Sequence, residues 1–199
     1  GTDLSADLVR RDFTINAMAA ALPSGEVVDL FGGVEDLREG VLRTPRSPQE
    51  SFSEDPLRMM RAARFAARFN LRVAPEVFEA MREMAGRIEI ISAERVRDEL
   101  VKLIDADYPR VGLNLLVDTG LVDYVLPELP ALRMEMDPAH HHKDVYEHSL
   151  KVLEQAMEKE TDEDGPCPAP DFILRFAALM HDIGKPKTRK FEKDGSVSF

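Results

Sequence analysis

The chain has 199 residues, 44% hydrophobic and 32% charged, with a formal net charge of −11; this is ordinary soluble composition, and the length allows one or two domains with a real core. It has no run of about 18 apolar residues, which excludes a membrane-spanning helix, and its acidity excludes a generally basic protein that coats nucleic acid. The lone Cys167 excludes an intramolecular disulfide, from which a cytoplasmic setting is expected; no signal peptide is visible, but the sequence begins at Gly1 and not at an initiator Met. Charge is unevenly spread: residues 54–72 hold five Arg against two acids, and residues 154–164 hold six acids against one Lys. A basic stripe on an acidic body can bind RNA at one place, the alternative for any single Arg being a solvated helix face.

Asp7 to Leu22 predicts a helix with Asp12 and Asn16 four apart, ended by a turn at Pro23-Ser24-Gly25. Inside it, Arg10-Arg11-Asp12-Phe13-Thr14-Ile15-Asn16-Ala17 sets two Arg beside a first-turn Asp. Such Arg can hold triphosphate oxygens, while Asn16 offers a donor and an acceptor to a sugar hydroxyl; a surface helix start with an Arg–Asp pair is the other reading. Glu26 to Asp29 predicts a short strand, Leu30 to Gly33 a tight turn, Val34 to Arg38 a short helix and Leu42-Arg43 a second strand. Thr44 to Pro48 is a Pro-punctuated linker.

Phe52 to Phe69 reads as one strong helix entered through Glu54, Asp55 and Pro56, with Ser53 or Asp55 as cap. At 100° per residue Met59, Ala62, Ala63, Phe65, Ala66 and Phe69 share one side, opposite Arg61, Arg64 and Arg68. Asp55 and Arg58 break this sorting, because they project on or beside the apolar side, one turn apart. Charges placed there need partners. Either Asp55 caps the helix and pairs with Arg58, or the two present an acceptor and a donor fork to a flat polar ligand such as a nucleobase.

Leu71 to Val73 is a brief extended link, and Pro75 opens a helix to about Arg87. Ser92 caps a further helix with Glu94 and Arg95 in its opening turns, where surface pairing such as Arg95 with Glu99 is one possible use. Tyr108 to Val117 and Leu121 to Val125 add two short helices. His140-His141-His142 are expected on a loop, where three adjacent side chains diverge and are more often incidental than a metal site. The better metal candidate is His148 on one helix with His181 and Asp182 at the end of another, a hard N/O donor set that leaves room for a metal-activated water. Gly184 and Pro186 stop that second helix, and Asp162 to Pro170 is an acidic, Pro-rich loop expected to be disordered.

Glu54-Asp55-Pro56-Leu57-Arg58 followed by Arg61 resembles the nucleotide-selecting motif of the class II tRNA nucleotidyltransferases, the family of CCA-adding enzymes and bacterial poly(A) polymerases. Arg10 to Ala17 is similar to the family's RRDFTINA motif without departure. Asp29, Gly32, Gly33, Asp36 and Leu37 with Leu42-Arg43 resemble its next motif, and Ser92 to Lys102 its head-to-neck motif. His148, His181 and Asp182, with the string HDIGKP, resemble the HD phosphohydrolase domain.

The resemblance implies a mainly α protein. Residues 1–48 would be the remnant of an α/β nucleotidyltransferase head, 49–130 a helical nucleotide-selecting and neck region, and 131–199 a partial all-α HD domain. It implies template-free addition of C and A to the tRNA 3′ end from CTP and ATP with Mg²⁺. Asp55 and Arg58 would face the incoming base beside Arg61, and Arg11, Asp12 and Asn16 would seat the triphosphate and ribose. Glu54, Glu94 and Arg95 would brace the selecting helix, and His148, His181 and Asp182 would hold a divalent metal. Poly(A) polymerase, an HD-type metal-dependent phosphohydrolase and an RNA-binding helical module stay open. In the family the paired Asp that hold Mg²⁺ lie upstream of RRDFTINA, whereas nine residues precede Arg10. The chain is therefore expected to be the middle of a longer enzyme and inactive alone. The last HD ligand, a downstream Asp, is likewise expected beyond Phe199.

Overall fold

The computed structural model describes residues 3–133, 145–161, 169–188, 190–191 and 197–198. The backbone divides into two compact units, Gly1–Leu121 and Val122–Phe199. The first runs α1 (Leu4–Leu8), a 3₁₀ turn (Thr14–Asn16), β1 (Met18–Ala20), β2 (Val27–Asp29), α2 (Gly33–Glu39), β3 (Val41–Leu42), α3 (Pro48–Glu54), α4 (Leu57–Phe69), β4 (Arg72–Val73), α5 (Pro75–Met84), a 3₁₀ turn (Ala85–Ile90), α6 (Ala93–Ile104) and α7 (Pro109–Asp118). The second holds α8 (Val122–Val125), a 3₁₀ turn (Pro130–Leu132), α9 (Val145–Met157), α10 (Phe172–Met180), α11 (Lys185–Thr188), β5 (Lys190–Phe191) and β6 (Val197–Ser198). The fold is mainly helical, as expected, and no helix among the described residues is long and apolar enough to cross a membrane.

The expected helix from Asp7 to Leu22 does not form. Short polar side chains there satisfy the backbone locally and so compete with the helical ladder. Asp12 accepts from the Phe13 N–H at 3.1 Å, Asn16 Oδ1 accepts from the same N–H at 3.3 Å, and Thr14 N–H is taken by the Arg43 carbonyl at 2.9 Å. The chain then turns extended, and β1 pairs antiparallel with β2, Met18 opposite Asp29 and Ala20 opposite Val27.

The single helix expected over Phe52–Phe69 is two. Pro56 drives the residue before it out of the α region, and Asp55 is extended at φ −145°, ψ 100°. Helix α3 therefore stops at Glu54, having started at Pro48 with Ser47 accepting from the Glu50 N–H at 3.3 Å. Helix α4 restarts behind Pro56, with Asp55 Oδ1 accepting from the Leu57 N–H at 3.1 Å.

Helix α4 is the core of the first unit. Met59, Met60, Ala62, Ala63, Ala66 and Ala67 are fully buried. Its small residues let α7 approach so closely that a Cβ on Gly112 would lie 2.6 Å from the Ala63 carbonyl oxygen. Leu103 and Ile104 of α6 and Leu113 and Leu116 of α7 complete the core. Burying each such side chain contributes roughly 1.5–3 kcal/mol. The expected apolar face is thus displaced, since Met60 and Ala67 are inside while Phe69 is 49% exposed. Phe69 stacks on Phe65, which meets the buried Phe13 edge-on at 5.4 Å between centroids. Strands β3 and β4 pair in parallel, Val41 opposite Arg72, and so join the segment after α2 to the segment after α4.

In the second unit α9 packs on α10 through Tyr146, Leu150, Leu153 and Leu179, all fully buried. Asp171 caps α10 by accepting from the Leu174 N–H at 3.0 Å. Glu160 clamps the start of that helix, accepting from both ends of the Arg175 guanidinium at 2.6 and 2.7 Å. His140 to His142 and Cys167 lie outside the described residues, as does the 162–168 part of the expected loop.

Candidate functional site

Arg58 sits in the first turn of α4 and is buried, at 9% exposure. Its Nη1 donates to Ser51 Oγ at 2.9 Å and lies 3.1 Å from Glu54 Oε2, both on α3. Its Nη2 donates to the Arg10 carbonyl at 2.7 Å. The acid paired with Arg58 is therefore Glu54 and not Asp55, so of the reading in which Asp55 caps the helix and pairs with Arg58 only the cap is found. The broken helix is the reason, because Asp55 occupies the extended corner with one oxygen capping α4. Its other oxygen accepts from Arg95 Nη2 at 3.3 Å.

Arg95 of α6 thus reaches across to the start of α4, and the alternative surface pair with Glu99 is not made. Glu99 instead accepts from Arg64 Nε at 2.6 Å. Glu94 stays with its own helix: its own N–H and then the Ser92 hydroxyl hold its carboxyl below the usual carboxylate range. For Glu54, partial desolvation works to raise the pKa, and the charges and hydrogen bonds of Arg46 and Arg58 outweigh it and hold it low.

The Arg10–Ala17 segment joins the same place. Asp12 is 4% exposed; its Oδ1 accepts from Asn16 Nδ2 at 2.6 Å and its Oδ2 lies 2.7 Å from Arg61 Nη2. The latter contact is an ion pair off the hydrogen-bonding angle, and Asp12 Oδ2 and Arg61 Nε keep unused hydrogen-bonding capacity. Arg11 points away from Asp12, pairing in the exposed first turns with Asp7 at 2.9 Å. Of the six expected nucleotide residues, Asp12, Asn16, Asp55, Arg58 and Arg61 belong to one linked set around the start of α4, while Arg11 stands at its edge.

The glycine turn holds this segment in place. Asp29 accepts from Val34, Gly33 and Phe31 N–H groups, and that of Val34 is the chief cause of its lowered pKa. Gly33 passes so close to the segment that a Cβ there would lie 2.2 Å from the Thr14 carbonyl oxygen. Asp36, buried, accepts from Thr14 Oγ1 at 2.6 Å and pairs with Arg43.

Sequence reasoning missed Ser51 and Arg46. Ser51 lies seven residues before Arg58 across a helix break, and Arg46 sits in a linker with no periodicity, so neither carried a pattern.

In the second unit His148, His181 and Asp182 present ligand atoms within 4.8 Å of one another. His181 Nδ1 lies 2.8 Å from the Ala178 carbonyl, an acceptor, so this nitrogen carries the proton. His181 Nε2 faces Asp182 Oδ2 at 3.1 Å. The three side chains together are an N/O donor set of the kind that suits a divalent ion. Lys185 Nζ also reaches Asp182 Oδ2, at 2.7 Å.

Residues 1–43 match the family model of the poly A polymerase head domain, 70–132 that of the "Probable RNA and SrmB-binding site of polymerase A", and 145–198 that of the HD domain. A multifunctional CCA protein of Nitrosococcus oceani is 42% identical over 193 residues, which cover 95% of this chain and 44% of that protein. The chain belongs to the family of CCA-adding enzymes and bacterial poly(A) polymerases. Among other members of this nucleotidyltransferase family, the A-adding tRNA nucleotidyltransferase of Deinococcus radiodurans is 38% identical, over 99% of this chain and 44% of that one. The Bacillus stearothermophilus CCA-adding enzyme, solved in complex with CTP, superposes with a TM-score of 0.64 at 37% identity, over 66% of this chain and 34% of that one. The chain spans less than half the length of the curated relatives it matches. The nucleotidyltransferase and HD families depend in general on divalent metals.

Proposed function

We propose that this chain is the nucleotide-selecting and neck part, with an HD domain, of a tRNA nucleotidyltransferase that adds C and A to the tRNA 3′ end. The observation that carries the reading is the Arg58 fork, which ties the start of α4 to the Arg10 carbonyl and so joins the two nucleotide motifs. Cytosine and adenine each offer an exocyclic amine beside a ring-nitrogen acceptor. Asp55 accepts from the amine and Arg58 donates to the ring nitrogen, so protein side chains replace a template. Uracil offers a carbonyl to Asp55 and is rejected.

Arg11 and Asn16 seat triphosphate and ribose, with Asp12 and Arg61 fixing Asn16 and α4 against each other. Attack of the RNA 3′ hydroxyl on the α-phosphorus, in line with departing pyrophosphate, completes the transfer. Mg²⁺ supplies charge neutralisation when bound; its ligands are expected in the head, and no residue of this chain is assigned to it. A cytoplasmic setting belongs to the same reading, supported by the tRNA substrate.

The test is Arg58→Ala in the full-length enzyme, with extension of tRNA measured against CTP, ATP and UTP. Discrimination against UTP should fall by more than kcat for CTP; unchanged discrimination overturns the assignment. A second reading, metal-dependent phosphohydrolysis at the HD site, is favoured by the convergence of His148, His181 and Asp182, whose ligand atoms lie within 4.8 Å of one another. Hydrolysis of phosphate esters that requires a divalent metal and is lost in His181→Ala would establish it beside the first.

A further inference from the structure

Arg46, like Ser51, belongs to this site but to none of the motifs. It stands in the linker before α3, its backbone carbonyl held by Thr44 Oγ1 at 2.6 Å. Its guanidinium pairs through Nη2 with Glu54 Oε2. Arg58 Nη1 reaches that same oxygen at 3.1 Å. One carboxylate oxygen is thus shared by two guanidinium groups, one from the linker and one from the helix that follows. The Arg46 side chain is largely covered, and its buried Nε meets no hydrogen-bond acceptor. A buried donor left unmade costs stability, so the arrangement is held by what Nη2 does.

The sharing ties Glu54 to the linker as well as to α4. Glu54 is the last residue of α3, and its carboxylate is well exposed. With Arg58 as its one partner, this exposed carboxylate would have a single anchor. Arg46 gives that carboxylate a second anchor, on the same oxygen, and the Arg58 fork then meets three acceptors: Glu54, Ser51 and Arg10.

We propose that Arg46 is a positioning residue for base selection, acting through Glu54 on Arg58. The inference rests on the reading of Arg58 as the base reader. It is tested in the full-length enzyme with Arg46→Ala, Arg46→Gln and Arg46→Lys beside Arg58→Ala. For each, kcat and KM are measured for CTP, ATP and UTP on tRNA lacking its 3′ end, and folding is checked by thermal unfolding.

Arg46→Ala and Arg46→Gln should each lower the CTP-over-UTP ratio of kcat/KM by about tenfold, with a smaller change in kcat for CTP. Arg46→Lys, which keeps the charge, should recover most of the ratio. Arg46→Gln keeps the polar stem and serves if the alanine variant does not fold. An unchanged ratio in a folded Ala or Gln variant, or a loss equal to theirs in the Lys variant, overturns the proposal. If Arg58→Ala also keeps the ratio, the base-reading assignment itself fails; if Arg58→Ala loses it and the Arg46 variants do not, only the role of Arg46 falls.

Discussion

Arg58 Nη2 donates to the backbone carbonyl of Arg10, 2.7 Å away and 48 residues earlier in the chain. A side chain that binds backbone cannot have its partner mutated away, so this link constrains the Arg10–Ala17 segment whatever residues flank it. It also makes Arg58 a structural residue as well as the proposed base reader.

Arg58→Ala should therefore lower stability by about 2–4 kcal/mol, since hydrogen bonds to a charged group are worth about 1.5–3 kcal/mol and Glu54 loses a partner. Arg58→Lys should recover part of this, because one ammonium cannot meet Ser51, Glu54 and Arg10 in the geometry of the fork. Urea unfolding of both variants checks the order; equal stability of Ala and wild type would show that the link adds nothing.

Gly33→Ala and Gly112→Ala each place a methyl against backbone, at 2.2 Å from the Thr14 oxygen and 2.6 Å from the Ala63 oxygen. Both should destabilise by at least about 1–3 kcal/mol, the range for overpacking. Gly33→Ala should in addition weaken nucleotide binding, because the Thr14 segment carries Asp12 and Asn16. Thermal unfolding with CTP titration separates the two.

The Glu160–Arg175 pair should set an acid limb to the stability of the second unit. The hydrogen bonds from Arg175 are the chief cause of the lowered Glu160 pKa, against an ordinary value of 4.5. A depressed folded pKa means that the added stability is complete above the ordinary value and is lost as pH falls through the lower one. Arg175→Ala, which leaves Glu160 without its guanidinium partner, should cost about 3–5 kcal/mol at neutral pH and flatten the pH dependence below 4.5. Unfolding free energies from pH 7 down to 3 provide the check.

His181→Ala should abolish binding of a divalent ion such as Mn²⁺ to the HD site by calorimetry, while leaving CTP binding at α4 unchanged. Lys185→Ala should tighten the metal, since it removes a cation that occupies Asp182 Oδ2.

How much of this was legible in the sequence depends on range. The helix over Pro75, the strand at Val27 and the helix start at Ser92 came from local chemistry that burial does not override, although the Ser92 hydroxyl makes no capping hydrogen bond and goes to Glu94. The break at Asp55 was also written locally, in Pro56, but the strong apolar period on either side masked it. The helix expected from Asp7 failed because Asp12, Thr14 and Asn16 turn their polar groups onto nearby or distant backbone, the Thr14 N–H onto Arg43. His148, His181 and Asp182 were found because adjacency and helix ends bring them together simply. Arg46, Ser51 and the Arg95–Asp55 contact were not assembled, because each depends on how α3 and α6 pack on α4, and a periodic pattern says which face is buried but not which residue lies across from it.

The most direct measurement gives the full-length enzyme a tRNA lacking its 3′ CCA, with Mg²⁺ and CTP alone, ATP alone, or both. Growth by three nucleotides only when both are present is the predicted result. A long ladder with ATP alone would identify a poly(A) polymerase instead, and no extension with both nucleotides would contradict the account altogether.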